Sequence, residues 1–97
     1  MFRGLQAVFR RSEADKLAAV LEEQRNEQRN AESLLSRLWE IHDALAARGS
    51  EEARARLDAL DREIAGVAGR VKQALRLQAE LLMQLGQVKV DMAGVEG

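Results

Sequence analysis

The sequence predicts an all-α protein: an antiparallel two-helix hairpin of the coiled-coil type, with a short amphipathic N-terminal segment, assembling into a four-helix bundle. Three observations lead there. Apolar residues recur at alternating spacings of three and four through the second half of the chain. One helix-stop and helix-start signal sits near the middle, at Gly49-Ser50. The 97 residues include no Pro and no Cys, 32% are charged and only 3% are aromatic. That composition suits long helices and supplies no aromatic-anchored compact core.

The stripe in the second half is Leu57, Leu60, Ile64, Val67, Val71, Ala74, Gln78, Leu81, Leu85, Val88, Met92 and Val95, with Gln78 its one polar member. A mean spacing of about 3.5 residues keeps these on one face of a helix packed along another. Gly49 suits the left-handed position that ends a helix, and Ser50 can cap the next. Glu51 and Glu52 complement the positive N-terminal end of that second helix. It is expected to run from Glu51 to about Met92, with Gly94 and Gly97 fraying the last residues.

The first helix is expected over residues 13–48, with Ser12 as its cap and Asp15 three residues on in the manner of a capping box. The domain organisation is then an N-terminal segment, 1–11, and a hairpin, 12–97. The first helix carries its own stripe: Leu17, Val20, Gln24, Glu27, Ala31, Leu34, Leu38, Ile41 and Leu45. With Leu17 and Leu57 at heptad position a, an antiparallel pair layers a of one helix with d of the other. Leu45 then meets Ala53, Ile41 meets Leu57, Leu38 meets Leu60 and Leu34 meets Ile64. Every pair is symmetric about Gly49, so turn chemistry and seam register point to one fold-back. The helices are roughly 54 and 63 Å long at the usual rise per residue.

Residues 23–30 repeat Glu-Gln-Arg-Asn twice and put Gln24 and Glu27 in the expected seam. This is either a polar layer that sets register or a gap used by a partner.

A two-helix hairpin covers one stripe per helix, so its flanks decide whether it associates. The g flank is charged or polar: Lys16, Glu23, Asn30 and Arg37, then Arg56, Glu63, Arg70 and Gln84, with Leu77 the exception. Arg37 and Glu63 are expected to approach across it. The e flank is largely apolar: Ala14, Leu21, Leu35, Ala68, Leu75 and Leu82, interrupted by Gln28, Asp61 and Lys89. Trp39 and His42 extend it on the first helix. Ala65, Ala79 and Gly86 lie beside it on the second and allow close approach. A contiguous apolar flank is a docking surface. Leu21, Leu35, Trp39, His42, Leu75 and Leu82 are therefore the expected protein-interaction residues. The occupant is a second copy, giving a homodimeric four-helix bundle, or a helix of another protein.

Chemistry is not expected. His42 is the only His and there is no Cys, so His and Cys cannot assemble a metal site. Gly66 and Gly69 follow no strand and do not form a phosphate loop. Glu22/Glu23 and Glu51/Glu52 are adjacent in sequence and diverge on a helix. No catalytic, cofactor or metal residue is assigned, and the expected role is a scaffold, an adaptor or a chaperone-like protein. A net charge of −1 with both signs interspersed argues against nucleic acid. An RNA-binding hairpin dimer would need a row of free Arg, but Arg54, Arg62 and Arg76 each have an acid at helical spacing. Phe2, Leu5, Val8 and Phe9 alternate with Arg3, Arg10 and Arg11. That basic amphipathic segment either lies on an anionic membrane or folds over Val88, Met92 and Val95. There is no apolar run of the ~18 residues a membrane span needs, and no signal-peptide pattern. The lack of Cys fits a reducing compartment, and the expected location is cytoplasmic.

Overall fold

Between Leu5 and Arg48 the chain has neither Gly nor Pro, so nothing in that stretch interrupts a helix. The computed structural model describes the backbone of residues 2–96 and the side chains of residues 11–94. It contains two helices, α1 (Phe2–Arg48) and α2 (Glu51–Glu96), and the fold is an all-α helical hairpin. Gly49 takes φ +66°, the left-handed conformation that terminates α1. The Ala53 N–H donates to Ser50 Oγ at 3.1 Å, and the Arg54 N–H to the Ser50 carbonyl at 3.0 Å. Glu51 and Glu52 occupy the first turn of α2. The turn is the one expected. A Cβ at Gly49 would meet nothing within 4 Å, so only the dihedral penalises a side chain there. Gly49→Ala should therefore cost about 1–2 kcal/mol in urea unfolding, and Gly49→Asn less.

The outer boundaries differ from expectation. α1 begins at Phe2, so residues 2–11 are its opening turns and Ser12 lies inside the helix. A cap is worth about 1 kcal/mol, and the residues on either side of Ser12 are helix formers that need no start signal. α2 continues past Met92 to Glu96. The side chains of residues 1–10 and 95–97 lie outside the described residues. With them lie the amphipathic face of residues 1–11 and the expected cover of Val88 and Met92 by Phe2, Leu5 and Phe9.

The chain divides into two compact units, with the boundary in α1 falling inside the polar repeat. In the turn-side unit, Asn26–Ala74, the core is Ala31, Leu38, Leu60, Ile64 and Val67, with Leu35, Leu45 and Val71 packed against it. Ala53 and Ala74 are also buried. Here α2 buries the stripe expected of it. α1 does not: Leu34 and Ile41, expected in the seam, are 38% and 50% exposed, while Leu35 and His42 turn inward. The helix is rotated so that heptad positions a and e, rather than a and d, face α2. The terminal unit, Met1–Arg25 with Leu75–Gly97, shows the same shift, with Leu21 at 5% exposure and Val20 at 40%. There Val88 is buried, and Leu17, Leu81, Leu85 and Met92 are half-buried. The Gln78 amide donates to the Gln24 carbonyl at 3.4 Å.

Charge accounts for the rotation. The d row offers Val20, Glu27, Leu34 and Ile41, and the e row Leu21, Gln28, Leu35 and His42. The d row is richer by one apolar side chain, worth about 1.5–3 kcal/mol when fully buried. It also carries a carboxylate, whose desolvation costs several kcal/mol. Turning the e row inward keeps Glu27 at the rim, where its Oε1 accepts from Arg70 Nε at 2.9 Å and Nη2 at 2.8 Å. Both side chains are more than one third exposed. A double-mutant cycle on Glu27→Ala and Arg70→Ala should therefore show a coupling of only about 0.5 kcal/mol, shrinking as salt is raised.

Candidate interaction surface

In the turn-side unit the rotation gives the hairpin two unlike shoulders. On one, His42 of α1 reaches α2, its Nε2 3.2 Å from Asp61 Oδ1. Its Nδ1 lies 3.7 Å from Asp43 Oδ1 and has no hydrogen-bond partner although it is buried. Trp39, one helical turn back, meets the imidazole edge-on, with centroids 5.0 Å apart and planes at 64°. Asp61 and Trp39 together hold the ring in place, Asp61 by accepting from Nε2–H and Trp39 by packing. Among the described residues no group of three or more His, Cys, Asp or Glu is placed to hold a metal.

The other shoulder carries the Glu27–Arg70 pair and the exposed Leu34 and Ile41. Among the described residues no ion pair joins Arg37 to Glu63, which the sequence led us to expect. The rotation that brings the d row to this rim carries the g row, and Arg37 with it, outward. Within the polar repeat, Gln28 Nε2 donates to Glu32 Oε1 at 3.0 Å and Arg29 donates to Asn26 Oδ1. A shallow polar cleft of about 140 Å³ at the turn is lined by Leu45, Arg48, Ser50, Glu52, Ala53 and Arg56. That is well below the 300 Å³ or more of an ordinary small-molecule site.

In the terminal unit the notable side chains belong to α2. Leu75 and Leu82 occupy one heptad row and are 47% and 49% exposed. Further round the helix Met83 and Val90 are more exposed still.

The six expected interaction residues separate accordingly. Leu21 and Leu35 are turned into the hairpin, Leu21 fully and Leu35 in part, so they offer little to a partner. His42 is mostly covered, its side chain 23% exposed. Trp39, Leu75 and Leu82 each keep about half their surface in water. Asp61 went unassigned in the sequence as the partner of His42. The signal was present, since both sit at position e, and layering the flank rows as the seam rows were layered pairs them. Val20, Leu34 and Ile41 were missed as surface residues because their row looked like the seam. Among the described residues no helix is long and apolar enough to cross a membrane. No protein-family model, curated protein or solved structure matches this chain.

Proposed function

We propose that this chain is a non-catalytic helical scaffold, of adaptor or chaperone-like type, that acts through helix–helix association and pairs with a second copy of itself in a four-helix bundle. The observation that carries this reading is the row of half-exposed leucines on α2, Leu75 and Leu82. Among the described residues of the hairpin no large side chain is fully buried. Covering these leucines is what assembly accomplishes, because burial of apolar area is the main favourable term in association. Sizing chromatography with light scattering at tens of micromolar tests the reading. A mass twice that of the chain is expected, and a monomer throughout that range overturns self-association.

A further inference from the structure

We infer that Met83 is a site of oxidation on the association face, and that converting its thioether to the sulfoxide releases the second copy. This rests on the self-association proposed above and gives it a chemical control. All the residues concerned lie on α2 within the terminal unit. Leu75 and Leu82 form one row, 47% and 49% exposed, and Met83 and Val90 another, 77% and 64% exposed. The row between them holds Ala79 and Gly86, and a Cβ added at Gly86 would meet nothing within 4 Å. The three rows span about 100° of the helix, the width of an ordinary apolar contact face. No bulky side chain separates the leucines from Met83, so a helix laid on Leu75 and Leu82 covers Met83 as well.

The chain has no Cys and three Met, so two-electron sulfur oxidation falls on Met. Of the two whose side chains are described, Met92 is half-buried, whereas Met83 is the most exposed large apolar side chain among the described residues. The oxidant is a peroxide. The thioether sulfur attacks one oxygen of hydrogen peroxide, the S–O bond forms and the O–O bond breaks. The departing hydroxide takes up the proton left on the transferred oxygen and leaves as water. Sulfur is oxidised by two electrons and peroxide is reduced to water. The product carries a strong hydrogen-bond acceptor where the thioether had an apolar, adaptable contact. Its neighbours one turn away are Ala79, Glu80, Gly86 and Gln87. Ala79 and Gly86 have no polar side chain, and the Glu80 carboxylate only accepts. The Gln87 amide already donates to Asp91 Oδ1 at 3.1 Å. In the free chain water solvates the sulfoxide. Beneath a second copy that water is expelled, and a buried acceptor without a donor opposes docking. Docking in turn covers the sulfur, so oxidation proceeds from the free chain.

Hydrogen peroxide on the full chain, followed by peptide mass spectrometry and light scattering, tests this. Met83 should gain oxygen faster than Met92, and faster in chain diluted below the dimer Kd than in the dimer. The oxidised chain should dimerise at least about tenfold more weakly, with unchanged far-ultraviolet circular dichroism. Methionine sulfoxide reductase should restore the dimer. Met83→Leu should dimerise like the wild type and lose the response to peroxide, which separates Met83 from every other oxidisable side chain. A wild-type dimer that survives complete oxidation of Met83 overturns the inference and leaves self-association standing. So does a peroxide response that persists in Met83→Leu. A wild-type monomer at high micromolar concentration overturns both.

Discussion

Leu38→Ala should destabilise the protein by about 2–4 kcal/mol, while Ile41→Ala should cost less than about 1 kcal/mol. The two residues lie three apart on α1, and a seam of alternating threes and fours treats them alike. Their surroundings do not. Leu38 is 8% exposed and belongs to the core of the turn-side unit, whereas Ile41 is 50% exposed on a shoulder. Truncating Leu38 opens a cavity between two helices that cannot close it without breaking their other contacts. Truncating Ile41 removes carbons already half in water and leaves no cavity. Urea unfolding at matched protein concentration gives both values, since an associating protein gains stability with concentration. Equal losses at the two sites would mean that α1 presents positions a and d after all, and that the rotation is wrong.

The second large effect is on assembly. The Leu75→Glu, Leu82→Glu double variant is expected to stay helical and become monomeric. Each leucine is already about half covered, so docking gains about 0.7–1.5 kcal/mol per side chain, and a symmetric dimer has four. Substitution removes that gain and places four carboxylates where water is to be expelled. The two effects together should raise the dimer Kd by more than about a thousandfold, or some 4 kcal/mol. Leu21→Glu makes the contrasting control. Leu21 is buried within the terminal unit, so a carboxylate there should cost helical stability rather than assembly alone. Light scattering reads the mass and far-ultraviolet circular dichroism the helix. A double variant with unchanged dimer mass would remove the α2 row from the interface and direct attention to Leu34 and Ile41.

Much of the hairpin is written in local chemistry, and those parts can be read without a structure. The left-handed Gly49, the Ser50 cap and the acidic first turn of α2 depend only on residues within a few positions of one another. The α2 stripe from Leu57 to Met92 is legible for a related reason: one row pair is apolar throughout except Gln78, and no rival row competes with it. α1 is different because it has two candidate rows of nearly equal apolar content beside its a positions. Periodicity cannot separate Leu34 from Leu35, or Val20 from Leu21. The decision belongs to a residue whose cost appears only once a second helix stands opposite, the carboxylate of Glu27. Arg70, 43 positions away in sequence, completes that decision by receiving Glu27 at the rim. His42 reaches Asp61 across the seam for the same reason, in addition to lying near Asp43 on its own helix, since rotating a helix changes every partner across the seam at once. The sequence by itself determined two long helices, where the chain turns and which face of α2 is covered, because helix signals and an uncontested stripe act locally. Only the tertiary structure decided which face of α1 is covered and so which leucines remain for a partner, because that choice balances apolar burial against one charge and both terms exist only between helices.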